Sequence, residues 1–357
     1  MLRQVRLALG ATALGVAVTA CGSSSPSSAP TTTTSGAPSS SAASTSAPPA
    51  TLQNVTFTLN FTAGGPQAGF MYAKQLGYYK QVGLNVKIIE GTGSVTTAEE
   101  VASGKTDLGF SDAPSVMSVA AKGGKVEVVS PVLQTNGFSI MSLKSSNITS
   151  VKDLEGKTIG LSPGTAETAL LSAIFASSQV PQSSVHIENI SSAALIGTLL
   201  QHKVDAILGG ADFQAVQLEQ QGAQLNQLLY KDIGVPTVGL SIISSPSYVA
   251  QNPNIVRGFI SASMKGWKAA QGNPQAAAQA VATQFPAAGT LSQYVPELKV
   301  DLGLLCAAPG ATHMGQIPDS VWQKTYQLLT TYDQLSTSVP ASASYTTSVL
   351  PTNLPSC

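Results

Sequence analysis

Gly160-Leu161-Ser162-Pro163-Gly164 spells G-x-S-x-G between a strand-like and a helix-like run, the setting of a hydrolase nucleophile elbow. The chemistry fails one residue past the serine. An elbow needs that residue's backbone N–H for the oxyanion, and Pro163 has none. The histidines, His186, His202 and His313, are scattered, with no metal-ligand spacing and no pairing for proton relay. We therefore expect no enzyme, no cofactor and no metal site. Arginine occurs only as Arg3, Arg6 and Arg257, so beyond the first residues the chain has almost no means of clamping a carboxylate, sulfonate or phosphate in bidentate fashion.

The 357 residues include 43% hydrophobic and only 10% charged, with 18 basic against 18 acidic. A neutral chain gives no electrostatic reason to expect nucleic acid. Its length suits two domains of ~150 residues. Residues 1–20 read as an export signal: Arg3 and Arg6 form the basic segment, Leu7 to Val18 the apolar one, and Val18-Thr19-Ala20 precedes Cys21. This apolar run is too short for a comfortable membrane span. Val18-Thr19-Ala20-Cys21 resembles the lipobox of bacterial lipoproteins, which implies lipidation at Cys21 and an anchor on the extracytoplasmic face of the membrane. Residues 22–51 contain only Gly, Ser, Thr, Ala and Pro and should form a disordered tether, residues 21–51 in all, spanning about 30 Å as a flexible coil. Cys306 and Cys357 are then an even pair in an exported chain, which points to a disulfide, two free thiols being the alternative.

The elements that must position any site begin at Val55. Val55, Phe57 and Leu59 alternate with polar residues as in a strand, and Gly64-Gly65-Pro66 stops it. Gly69, Tyr72, Ala73 and Leu76 then share one helical stripe, and Val86, Ile88 and Ile89 form a second strand. Such a β-loop-α-β unit builds a doubly wound α/β sheet, whose ligands bind beyond the carboxyl ends of the strands. The loop Phe61 to Gln67 is accordingly the first place to look. Strands are expected at 107–110, 126–133 and 138–143. A second α/β set follows, with strands at 158–161, 185–190, 205–208, 227–230 and 238–243. Asn252-Pro253 and Asn273-Pro274 start helices, and a last one begins at Asp319 and carries Trp322, Tyr326 and Leu329. Asp112 and Thr165 sit where helix N-caps belong, and Glu167 where a carboxylate answers a helix dipole. Chain crossings near 136–141 and 240–245 would make a two-strand hinge between lobes.

Several segments together resemble a known family. Asn60-Phe61-Thr62-Ala63-Gly64-Gly65-Pro66-Gln67-Ala68-Gly69-Phe70, Gly77-Tyr78-Tyr79, Val101 to Asp107, Lys152 to Gly160 and Val204 to Ile207 look like ABC-transporter substrate-binding lipoproteins. The group is the one that binds nitrate, sulfonate, taurine and thiamine-pyrimidine precursors. The resemblance implies a two-lobed, type II periplasmic-binding-protein fold with a two-strand hinge and C-terminal helices. It divides the chain into lobe I, residues 52–138 plus 245–357, and lobe II, residues 139–244. It implies a monomer that delivers a small solute to an ABC permease with its ATPase. Carried over by position, the ligand-facing candidates are Phe61, Thr62 and Gln67 in the first loop, Ser94 after the second strand, and Ser111 and Asp112 after the third. From the second lobe come Gly164, Thr165, Glu167, Asp212 and Phe213. Phe61 and Phe213 could sandwich a flat ring. Pyrimidine-precursor binders carry Asp-Trp and a later His where this chain has Asn60-Phe61 and Gln67. Three carboxylates and no arginine favour a pyrimidine-like heterocycle or an amine. Helix N-termini leave sulfonate, taurine or nitrate as an alternative. A pyrimidine synthase using its own His and Lys, or a non-transport adhesin or sensor lipoprotein, are further alternatives.

Overall fold

The computed structural model describes residues 51–357 apart from 164, 333–334 and 336–338. Cys21 and Gly164 lie outside these residues, as do the expected signal and all but the last residue of the tether. Ten strands are described: β1 Gln53–Thr58, β2 Leu84–Ile89, β3 Leu108–Asp112, β4 Glu127–Pro131, β5 Phe138–Leu143, β6 Thr158–Leu161, β7 His186–Asn189, β8 Ala206–Gly210, β9 Leu225–Leu229 and β10 Leu240–Ser244. They form two five-stranded sheets, ordered β2-β1-β3-β10-β4 and β7-β6-β8-β5-β9. The two orders are the same pattern used twice. In each sheet three parallel strands are followed by one antiparallel strand, β10 in the first and β5 in the second. Each of these enters its sheet just after the chain has crossed from the other.

That topology moves two of the expected limits. Residues 240–244, assigned from the sequence to lobe II, pair as β10 with β3 and β4 in the first sheet. The crossings are accordingly 132–137 and 230–239 rather than 136–141 and 240–245. They run side by side: the Asn136 N–H donates to Thr237 O at 2.9 Å, the Gly239 N–H to Leu133 O at 3.1 Å, and Asn136 Nδ2 to Val235 O at 3.0 Å. Full burial of Asn136 (2% exposed) keeps water from competing for these bonds.

The first lobe's core is aromatic. Phe57, Phe70, Phe110 and Phe259 are all fully buried, with ring centroids 4.7 Å apart for Phe57–Phe70 and 4.8 Å for Phe70–Phe110. Each such side chain contributes about 1.5–3 kcal/mol by leaving water. Helices start at Pro253 and Pro274 as the two Asn-Pro pairs predict, and Asn273 Oδ1 caps the second by accepting the Ala276 N–H at 3.0 Å. The last helix, Asp319–Tyr332, does not simply close on the first lobe. Its Trp322 and Leu329 share one buried cluster with Val116 and Met117 from the first lobe and Ile174 and Phe175 from the second.

A helix absent from the sequence-based expectations is Leu291–Leu302. Pro296 inside it argues against a helix, because proline cannot donate to the carbonyl four residues back. Here that carbonyl, Ser292 O, accepts Gln220 Nε2 at 2.8 Å from the helix Gln214–Gln220 of the second lobe.

Cys306 and Cys357 are joined, with Cα atoms 5.7 Å apart and 51 residues of separation. The tail they secure lies along β4, where the Val128 N–H donates to Ser344 O at 2.8 Å and the Thr346 N–H to Val128 O at 2.9 Å. Tyr345 stacks on Trp322 at 4.7 Å between centroids. Closing a loop of that length removes about 4 kcal/mol of unfolded-state freedom on chain-entropy grounds. Mild reduction, or replacement of both cysteines by alanine, should therefore lower the thermal midpoint by roughly 10 °C without abolishing the fold; an unchanged midpoint in calorimetry would show that the tail is held by its backbone pairing alone.

Candidate functional site

Where the loops after β1, β2 and β3 meet those after β6, β7 and β8, they enclose a cavity of about 380 Å3. That size lies within the ~300–1,000 Å3 typical of small-molecule sites. The first loop is shaped by its own hydrogen bonds. Gln67 Oε1 accepts the Gly64 N–H at 2.9 Å, Gln67 Nε2 donates to Asn60 Oδ1 at 2.8 Å, and the Ala63 N–H donates to Glu90 Oε1 at 2.8 Å. The turn then rests on the Leu291–Leu302 helix, with the Gly65 N–H donating to Glu297 Oε2 at 2.9 Å. A Cβ on Gly65 would stand 2.5 Å from Leu298 N and from Tyr294 O, so only glycine lets the loop approach this closely.

Three carboxyl groups line the cavity, each from the end of a different strand or the loop beyond it: Asp112 at the last position of β3, Glu167 after β6 and Asp212 after β8. No lysine, arginine or histidine is among the lining residues. Asp112 occupies an N-cap position but caps nothing with its side chain; its Oδ2 instead accepts Ser94 Oγ at 2.6 Å. Burial pushes its pKa up to about 7, helped by the neighbouring Glu167 and Asp212 carboxyls and opposed by Ser94. Burial likewise raises Asp212 to about 6 and moves Glu167 upward. Behind the first loop, burial lifts Glu297 to about 7 despite its bond from Gly65 and one from Gln293 Nε2 at 2.8 Å. Gly210 is required for Asp212 to sit where it does, since a Cβ there would fall 2.1 Å from Asp212 Oδ1.

Of the residues singled out from sequence, Phe61, Thr62, Gln67, Ser94, Asp112, Thr165, Glu167, Asp212 and Phe213 line the cavity. Ser111 does not; it is fully buried beneath the lining, with Oγ donating to Ser94 O at 2.9 Å. Gln67 is present, but its amide is engaged on both sides within its loop. Thr165 makes no side-chain cap; its Oγ1 donates to Ser162 O at 3.0 Å. Phe61 and Phe213, expected to sandwich a flat ring, touch each other instead. Their rings meet edge to face at 5.9 Å and 80°, in direct contact rather than a ring's thickness apart.

Ser162 of the G-x-S-x-G run has Ser192 Oγ as its hydroxyl partner at 2.8 Å. Both serines line the cavity, immediately after β6 and one turn into the segment after β7, so the strand-end rule was enough to find them. Phe138 and Leu240 escape that rule. They begin the two antiparallel strands, which enter their sheets from the cavity side, so their first residues line it rather than their last.

A family model described as NMT1/THI5 like matches residues 66–277, more than half of the chain. The chain belongs to the NMT1/THI5-like family. The riboflavin-binding protein RibY of Chloroflexus aurantiacus is 27% identical over 313 residues, covering 84% of this chain and 87% of its own. The formylaminopyrimidine-binding protein of Halalkalibacterium halodurans is 26% identical over 277 residues, 76% of this chain and 83% of its own. Among solved structures, the alkanesulfonate-binding protein SsuA from Xanthomonas axonopodis pv. citri bound to MOPS superposes with a TM-score of 0.64 at 18% identity, covering 84% of this chain and 99% of that one. The fold of this NMT1/THI5-like chain is thus the two-lobed fold of the periplasmic binding proteins. Among the described residues no helix is long and apolar enough to cross a membrane.

The raised carboxyl values fix the sign of the pH dependence. Between about pH 4, where unfolded carboxyls titrate, and pH 7, the folded chain holds protons that the unfolded chain has lost, so stability falls as pH rises. Unliganded protein should melt highest in mild acid and lose stability toward pH 8. Asp112→Asn, which can still accept from Ser94, should flatten that decline by about 1.4 kcal/mol per pH unit over this range, as read from denaturant midpoints; parallel profiles would show that Asp112 stays charged in the fold.

Proposed function

We propose that this chain is the solute-capturing component of an ABC importer, held at the extracytoplasmic face of a membrane through Cys21 and passing a small heterocycle or amine to a permease. The observation that carries the reading is the cavity between the lobes, lined by Asp112, Glu167 and Asp212 with no basic side chain among its lining residues. Such a lining accepts N–H donors or positive charge and repels a sulfonate or nitrate. Phe61, Phe138 and Phe213 supply apolar and aromatic surface for a flat solute. The names of the riboflavin- and formylaminopyrimidine-binding relatives point to the same class of ring, one that carries N–H or amino groups. A catalytic role would need the synthase's histidine and lysine, and the lining contains neither. The chain itself then performs no reaction, and closure of the lobes on the solute is what the permease recognises.

Thermal unfolding against riboflavin, formylaminopyrimidine, simple amines, taurine, alkanesulfonates and nitrate tests this reading. A solute at 100 times its Kd adds ~2.7 kcal/mol and should raise the midpoint by several degrees. The expected responders are the heterocycles or amines, with the shift largely lost in Asp212→Ala; a response confined to sulfonates or nitrate would replace this reading with that of an anion carrier.

A further inference from the structure

Outside the cavity, the contact between the helices Gln214–Gln220 and Leu291–Leu302 holds a group with no evident structural purpose. Asp301 is fully buried, and neither carboxyl oxygen has a hydrogen-bond donor among the described residues. Asp212, just ahead of the Gln214–Gln220 helix that packs on Asp301's own helix, is the carboxyl that side chain has within hydrogen-bonding reach. Asp212 belongs to the second lobe and lines the cavity; Asp301 belongs to the first and does not. With Asp301 fully buried and Asp212 half-buried, the two carboxylates repel strongly when both are ionised, and one proton between them turns that repulsion into a short, strong bond. The other groups facing the pair are Glu297 on the same helix as Asp301, Asp112 at the end of β3 and Glu167 after β6, all of them carboxyls. Among the described residues no lysine, arginine or histidine forms an ion pair or hydrogen bond with any of the five.

We propose that Asp301 is a positioning residue, which holds Asp212 against the solute through one proton shared across the lobe boundary, so that capture depends on that proton being in place. This deepens the importer reading and rests on it for the solute. Gln220 Nε2 on Ser292 O at 2.8 Å, a carbonyl left free by Pro296, ties the same two helices together. Burial and the surrounding carboxyls hold the proton on Asp301 to well above the usual carboxylate range. Asp212 keeps one oxygen as an acceptor toward the cavity while its partner donates from behind. In the acidic range the clasp is made; in alkali the pair carries two charges and the lobes are pushed apart.

The test compares wild type with Asp301→Asn, whose amide supplies a permanent donor, and with Asp212→Asn, which removes the shared proton from the other side. At pH 8 the infrared carbonyl band of a protonated carboxylic acid should be stronger in wild type than in either variant. Between pH 5 and 8 the unfolding equilibrium constant of wild type should rise about tenfold more per pH unit than that of Asp301→Asn, the difference of one proton. Riboflavin affinity, used as the probe, should fall in wild type once the pair titrates and stay level in Asp301→Asn. A band no stronger in wild type than in the variants, or parallel stability profiles, overturns the shared proton. Should Asp301→Asn fail to fold, the same comparison with Asp212→Asn decides it. Equal pH dependence of riboflavin binding in wild type and Asp301→Asn would overturn the coupling to capture. With band and stability as expected but no riboflavin response at any pH, it is the solute assignment that falls and the carboxyl clasp that stands.

Discussion

Carboxyl groups taken out of water without a basic partner are among the costliest things a fold can contain. This chain gathers three such groups, Asp112, Glu297 and Asp301, with the half-buried Glu167 and Asp212 beside them, where its two lobes meet. Asp112, Glu167 and Asp212 face the cavity, while Glu297 and Asp301 back it. Nearly every local feature of the region can be understood as a response to that burden. Ser94 donates to Asp112, Gly65 and Gln293 donate to Glu297, and a glycine at 210 makes room for Asp212. Burial that these donors only partly offset is why the carboxyl values move upward together rather than downward as in an ion-paired surface.

The same region shows how one sheet pattern, used twice, creates a site. Each sheet places its parallel strands with their carboxyl ends toward the boundary, and each receives one antiparallel strand directly from the crossing. Polar residues then come from strand ends and apolar ones, Phe138 and Leu240, from strand starts. The paired crossings hold the two sheets at a common edge while leaving the loops beyond them to differ. A solute between the lobes therefore touches six loops whose positions are set by two rigid frameworks rather than by one another.

The fold was largely legible because its signals are local. Alternation in Val55 to Leu59, the helical stripe from Gly69 and the two Asn-Pro starts all lie within a few residues of the structure they specify. The strand Leu240–Ser244 was seen but placed in the wrong lobe, since which sheet a buried strand joins is decided by neighbours far away in sequence. Most of the cavity's strand-end lining was legible, but Ser162 and Ser192 were passed over and Ser111 lies beneath the lining. The site was opaque at the Leu291–Leu302 helix, whose buried face is Tyr294, Glu297, Leu298 and Asp301. Two acids on that face and a proline in its middle look like a solvated loop, and only the partner carboxyl on another lobe gives them meaning. The edge-to-face contact of Phe61 with Phe213 was equally invisible, because spacing along a chain says nothing about the angle at which two distant rings meet.

The tail that follows the last helix has a consequence of another kind. The two borders of the first sheet are β2 and β4, and an uncovered border is a template for foreign chains. On β2 the outward positions carry Asn85 and Lys87, a charge that discourages pairing. On β4 the segment around Tyr345 occupies the bonding groups of Val128 from the chain's own end, locked down by the bridge to Cys357. The chain thus covers part of that border with its own tail, a single bridge at Val128 that leaves less of the edge open to a foreign strand.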